Sequence, residues 1–224
     1  MLKKNSYPFL RFLVDNKILI LLISLLLLVF SPPFIDESIQ WMQHYWNFIL
    51  ICVVLSSFFI IREKKLFRFI SYVTLLFILL HVFIQREFLV LLSQLGVSIL
   101  ILGAFIFVLK EAMGLKGESK DLLLASVTGY IIIGLIGGFL CAGLNLMVPN
   151  SFTHSTGIEF RLYHFIYFSF VSVTTLGYGD ITPLTEKAQA LSLLLALSGQ
   201  LFLTIIMAIN IAKFIQGSSR YNKD

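Results

Sequence analysis

Seven consecutive residues, Thr174-Thr175-Leu176-Gly177-Tyr178-Gly179-Asp180, occupy a polar gap between two long apolar runs. Two glycines flank one tyrosine, so alternate residues can enter the left-handed backbone region without a Cβ penalty at the glycines. A backbone that alternates in this way can turn successive carbonyls toward one axis. Four such loops around that axis would stack rings of oxygen able to replace the hydration shell of K⁺, with the Thr175 hydroxyl closing the inner end. The chemistry is that of desolvating a cation reversibly, and it needs no nucleophile or metal-ligand set.

A loop of this kind has to be held at membrane depth, and the composition supplies the means. Hydrophobic residues make up 58% of the 224-residue chain and charged residues 13%, with a mean hydropathy of +0.92. Soluble domains carry about a quarter charged residues, so the chain reads as a membrane protein. A helix crosses ~30 Å of hydrocarbon with ~20 apolar residues, and six stretches qualify: 13–34, 42–61, 66–85, 88–109, 122–148 and 185–214. A shorter apolar stretch, Leu162–Thr174, precedes the loop and suits a half-crossing helix whose C-terminal dipole would favour a cation. The basic start and Leu19–Val29 have features of a signal peptide. Ser31-Pro32-Pro33 is not a small-residue cleavage site, however, so the first run is read as a retained helix.

Charge placement orients the spans. With six crossings and the first residues inside, Arg86, Arg161 and Lys187 face outward and the other fourteen Lys and Arg face the cytoplasm, as the positive-inside rule requires. Both termini are then cytoplasmic, the chain is multi-pass in a plasma or inner membrane, and the glycine–tyrosine loop opens outward. The net charge of +5 is explained by lysines facing anionic lipid headgroups, without a nucleic acid partner. Cys52 and Cys141 fall inside spans as packed thiols and imply no disulfide or cofactor. An enzyme is excluded on the same grounds: charged residues are nearly absent within the spans and no nucleophile–base set appears.

The organisation divides near residue 115. Residues 1–115 hold four helices, and residues 116–224 hold an outer helix, the half-crossing helix, the loop and a final inner helix. Lys110–Asp121, with Gly114 and Gly117, joins the two and is expected along the inner membrane surface. The outer helix is rich in small residues (Ala125, Gly129, Gly134, Gly137, Gly138, Ala142, Gly143), several of them four apart. Helices associate in lipid over such faces, and packing against the inner helix is expected. In that inner helix, Pro183 and Thr185 mark the start, Gly199 is the single glycine before Ile215, and Thr204 and Asn210 are polar residues deep within it.

The loop resembles the selectivity filter of tetrameric potassium channels, which usually reads Thr-Val-Gly-Tyr-Gly-Asp; Leu176 for Val is the departure. The resemblance covers 161–214 specifically, the outer helix by position and type, and the first four helices by number alone. It is to a six-transmembrane-helix potassium channel of the voltage-gated-like cation channel superfamily, prokaryotic in type. It implies an all-α membrane protein, homotetrameric around a central pore, with K⁺ held at Thr175, Leu176, Gly177 and Tyr178 and Gly179 completing the filter. It further implies support from Thr174, Asp180, Tyr167 and Phe168, with Tyr167 able to hydrogen-bond Asp180. Gly199, twenty residues past Gly179, stands where relatives often bend; tight packing against the half-crossing helix is the other reading. Some bacterial relatives place a carboxylate at the position of Val171, which this chain lacks.

A voltage sensor needs arginines at every third position of a helix, because each charge moved through the field contributes ~2.3 kcal/mol per 100 mV. Phe88–Leu109 contains no Arg or Lys, so a voltage-independent channel is expected. Gln216–Asp224 are expected to be too short for a ligand-sensing cytosolic domain, which leaves lipid, membrane tension, pH or an unlinked regulatory protein as what opens it, with lipid and K⁺ as expected partners. Besides a K⁺ channel, a weakly selective cation channel and a silent or regulatory channel subunit remain open.

Overall fold

The computed structural model describes residues 16–34, 39–61, 64–84, 86–113, 119–157 and 159–221. Of the Lys and Arg used for orientation, Lys3, Lys4, Arg11, Arg62, Lys116 and Lys223 lie outside the described residues. The chain divides into two compact units, 1–114 and 115–224.

Unit 1 contains α1 (Lys17–Phe30), a 3₁₀ turn (Pro32–Phe34), α2 (Ile39–Ile61), α3 (Lys65–Ile84) and α4 (Glu87–Met113). The first predicted span, 13–34, is shortened at its end. The helix stops at Phe30 because Pro32 and Pro33 have no N–H to continue its hydrogen-bond ladder, although Ser31 keeps αR backbone. At 14 residues, α1 is about 21 Å long and short of the ~30 Å hydrocarbon core. Among the described residues five helices, not six, are long and apolar enough to cross a membrane, namely α2, α3, α4 and two in unit 2. Residues 13–15 lie outside the described part of the chain.

Polar groups in unit 1 are mostly satisfied within their own helices. The hydroxyls of Ser56, Ser71 and Thr74 each donate to the carbonyl four residues earlier, at 2.8, 2.9 and 2.8 Å, which frees them from needing a partner in lipid. Ser24 and Ser56 also meet across α1 and α2 at 3.0 Å. Where α4 crosses α3, Gly96 lies against Thr74 and Gly103 against the Phe67 ring, so close that a Cβ at either would clash. This close approach is the lipid-phase packing mode the sequence placed in the outer helix only.

Unit 2 contains α5 (Ser119–Met147), β1 (Phe152–His154), α6 (Leu162–Val173), β2 (Ile181–Pro183) and α7 (Glu186–Tyr221). Lys110–Met113 finish α4 and Ser119–Asp121 begin α5, so the expected surface segment over Lys110–Asp121 is helical at both ends; 114–118 lie outside the described residues. α7 begins one residue after the predicted 185, with Thr185 as cap: its Oγ1 accepts from the Ala188 N–H at 3.3 Å. It continues past Ile215 to Tyr221, 36 residues in all, or about 54 Å. The two strands form an antiparallel ribbon, with Phe152 opposite Pro183, Thr153 opposite Thr182 and His154 opposite Ile181. No sequence signal announced it.

Gly134 and Gly138 of α5 pack against α6 and Gly137 against both α6 and the inner helix, so the seam expected with the inner helix alone is shared. Gly134 faces the Phe170 ring, Gly138 faces the Ile166 backbone, and Gly137 meets Ser169 of α6 and Leu195 of α7 together. A half-crossing helix wedged beside two longer ones needs its neighbours to lose side-chain volume at the wedge. The core beneath combines Cys141, Ala142, Phe152, Phe165, Phe168, Val173, Ile181, Ala188 and Leu195. Phe152 packs edge-on against Phe165 and Phe168, at 5.5 and 5.2 Å between centroids, and so binds the ribbon to α6.

A Cβ at Gly138 would lie 2.7 Å from the Cα of Ile166, whereas one at Gly134 would meet only the end of a phenylalanine ring. Backbone cannot yield as a side chain can. Gly138→Ala is expected to destabilise unit 2 by about 1–3 kcal/mol, and Gly134→Ala by less. Thermal unfolding of the two variants in detergent checks the order; equal loss would mean that α6 is free to shift.

Candidate functional site

α6 ends where its sequence turns from apolar to Thr174-Thr175, and the chain then folds back on the helix's own carbonyls. The last four carbonyls of a helix have no intrahelical partner. Here the Thr174 N–H donates to Phe170 O at 2.9 Å, Thr175 N–H to Ser172 O at 3.0 Å, and Leu176 and Gly177 N–H to Val171 O at 3.0 and 3.3 Å. The Thr174 hydroxyl also donates to Phe170 O, at 2.6 Å. The fourth carbonyl, Val173 O, accepts the Tyr130 hydroxyl of α5 at 3.3 Å. The helix end is thereby closed by the loop that follows it.

The consequence for the loop is a division of labour between its two polar rows. Its N–H groups up to Gly177 point back into α6, while among the described residues no hydrogen bond is accepted by the carbonyls of Thr175–Gly179. Positive φ falls on every second residue: +61° at Thr175, +58° at Gly177 and +78° at Gly179. That is the alternation of hand anticipated from the glycines, with Thr175 added. A β-branched residue at positive φ is strained, at about 1–3 kcal/mol. The three amide bonds made by Thr175, Leu176 and Gly177, at about 0.5–1.5 kcal/mol each, are of the size needed to hold it. Thr175 through Gly179 are exposed, Leu176 at 57% and Tyr178 at 65%. Large apolar and aromatic groups projecting from a tethered loop leave surface for something else to cover.

The loop's exit is held as firmly as its entry. Ser155 N–H donates to Asp180 O and Leu184 N–H to Ser151 O, both at 2.8 Å, so the ribbon clamps the backbone on either side of β2. Burial would raise the pKa of the Asp180 carboxyl, but its neighbours, Tyr167 first and then the backbone at Asp180 and Ile181 and the charge of His154, outweigh it and hold it below its ordinary value. Tyr167, on α6, stands beside this carboxyl. Phe168, one residue on, points the other way, into the core with Phe152.

Gly199 lies buried against Val173. A Cβ there would collide with the Val173 carbonyl and sit 2.9 Å from its Cγ1, so the glycine permits α7 to touch the end of α6. α7 runs unbroken through it. Thr204 bonds back to Gln200 O at 2.9 Å. Asn210 faces a neighbouring helix, its Nδ2 donating to Ser126 Oγ of α5 at 3.3 Å. The sequence missed the contributions of Val171, Ser172 and Val173, which act through backbone carbonyls and leave no side-chain signature. Tyr130 was legible in principle, as the one phenol in a helix of glycines and aliphatics.

Residues 123–216, from α5 through α7, match a protein-family model described as an ion channel. Over 61 residues the chain is 38% identical to the two pore potassium channel c of Oryza sativa subsp. japonica; the matched stretch is 27% of this chain and 13% of the relative. The chain thus covers a small part of that relative's length. The family match lies wholly within unit 2, and α1 to α4 lie outside it.

Gly177 has nothing within 4 Å of where a Cβ would be placed, so only its φ of +58° resists substitution. Gly177→Ala should leave the protein folded, at a cost of about 1–2 kcal/mol, while turning the loop's carbonyls away from their present directions. Loss of selective ion flux with a cooperative melt lowered by only a few degrees is the expected outcome. Retained selectivity would remove Gly177 from the path of the ion.

Proposed function

We propose that the chain is the subunit of a K⁺-selective, voltage-independent channel. The observation that carries the reading is the alternation of positive φ at Thr175, Gly177 and Gly179 in a loop whose amides are tied down and whose carbonyls are free. Four chains around one axis would close the rings, since each supplies one loop. K⁺ would lose its water to the carbonyls of Thr175, Leu176, Gly177 and Tyr178, with Gly179 at the mouth. The name of the rice relative supports K⁺ as the permeant ion.

Each remaining part has a role in this reading. Thr174 and the Tyr167–Asp180 pair restrain the filter at its two ends, Phe168 anchors α6 in the core, and Gly199 is the point about which α7 turns. Residues 116–224 form the pore, while residues 1–115 form a sensor-like unit without gating charges, since α4 has neither Arg nor Lys from Phe88 to Leu109. The termini lie in the cytoplasm of a cell whose plasma or inner membrane holds the tetramer, and the filter opens outward.

Purified protein in planar bilayers under opposed K⁺ and Na⁺ gradients tests both claims. A reversal potential near the K⁺ equilibrium value, with open probability flat across voltage, is expected. Reversal near zero would overturn selectivity. Opening that steepens with depolarisation by several gating charges would overturn voltage independence.

A further inference from the structure

α6 is started by a titratable group. The N–H of Arg161, the residue before the helix, donates to His164 Nδ1 at 2.9 Å, and the His164 N–H donates to the Arg161 carbonyl at 3.0 Å. A Glu or Gln three residues past the cap position makes the same return bond in a capping box. Those side chains keep an acceptor oxygen at neutral and mildly acidic pH. An imidazole does not, because once protonated both ring nitrogens are donors.

A second histidine is arranged in the same way. His154 of β1 accepts at Nδ1 from the Thr156 N–H at 3.1 Å, with the Thr156 hydroxyl at 2.9 Å. Its ring centroid lies 6.0 Å from that of His164. Facing the pair are Arg161 at the helix start, Tyr163 of α6 with its ring 6.2 Å from His164, the Phe160 ring, and the Asp180 carboxylate on the His154 side. Burial, then the charges of His154 and Arg161, hold the His164 imidazole below its ordinary value of 6.5. A helix N-terminus also disfavours a cation.

We propose that His164 forms a proton-binding site at the outer end of α6 that weakens the filter's support when it is protonated. Resting on the channel reading above for its direction and readout, the site works through the bond that starts the helix. Neutral His164 completes the cap of α6. Protonation removes that acceptor and places a cation at the helix start, beside Arg161 and facing the His154 ring of the ribbon. Helix and ribbon are the two elements that hold the filter, α6 at its entry and the ribbon at its exit. Because the folded state prefers neutral His164, the cap is complete above pH 6.5 and is lost as pH falls through the site's own lower value.

The test uses the full chain in planar bilayers, with pH lowered from about 7.5 to about 5 on one face at a time. Acid on the filter's outer face should cut K⁺ current by more than half, with a midpoint below 6.5, and acid on the other face should not. His164→Gln keeps an acceptor that does not titrate, so it should carry wild-type current at neutral pH and lose most of the acid response. His164→Ala has no acceptor at any pH and should resemble the acidified wild type throughout. An unchanged acid response in His164→Gln would overturn the proposal. Hydrogen exchange at the Arg161 amide, corrected for intrinsic rate, needs no conduction: its protection should fall with acid in the wild type and hold in His164→Gln. That result in a protein passing no current would sustain the switch and sink the channel reading, whereas acid-insensitive protection in the wild type would sink the switch.

Discussion

The four carbonyls that close α6, those of Phe170, Val171, Ser172 and Val173, are where the local energetics of unit 2 are decided. Left bare in a bilayer, each would cost several kcal/mol. Instead the loop after the helix spends its own N–H groups on three of them, and Tyr130 of α5 spends its hydroxyl on the fourth. Using the amides in this way is what leaves the loop's carbonyls without internal partners. The negative end of the helix dipole is accordingly not presented bare to a cavity, as the sequence alone would have it.

This constraint explains why so much small-residue packing gathers around a 12-residue helix. Its C-terminal carbonyls are useful only if the helix stays put while the loop bends sharply away, including at Thr175 with φ +61°. α6 is fixed on one side by Gly134, Gly137 and Gly138 of α5 and on another by Gly199 of α7. The ribbon adds the third restraint through Phe152 and the backbone bonds at Ser155 and Leu184. Removing side chains from the neighbours costs about 1 kcal/mol per helical glycine, which close packing of α6 offsets.

The long spans and the loop were legible because hydropathy and paired glycines are local signals. α2 to α5 and α7 follow their apolar runs closely, and Gly177 and Gly179 take the positive φ that the glycine pattern implied. What was not legible depends on contacts. The partner of the α5 glycines could have been either later helix, and only the wedge of α6 decides it. A three-residue strand such as Phe152–His154 is too short to show alternation. Thr175 was read for its hydroxyl, yet its backbone is the feature that breaks the local preference of a β-branched residue, in keeping with strain gathering at functional sites. The Pro32-Pro33 pair was visible but was weighed as part of a cleavage question, when its effect on helix length was the stronger one.

Gly199 joins the inner helix to the filter more directly than spacing alone implied. A hinge glycine is usually argued from the backbone freedom it gives its own helix. Here its missing side chain also creates the contact, with α7 resting against the Val173 carbonyl that Tyr130 holds from the other side. A rotation of α7 about this point cannot leave Val173 undisturbed, since any residue turned into that space brings side-chain atoms against a carbonyl one residue from the loop. Movement at the inner end of α7 and the geometry at Thr174–Thr175 are therefore mechanically one problem. The packing role follows from the contact itself, and any bend of α7 there would reach the backbone at Thr174–Thr175 through it.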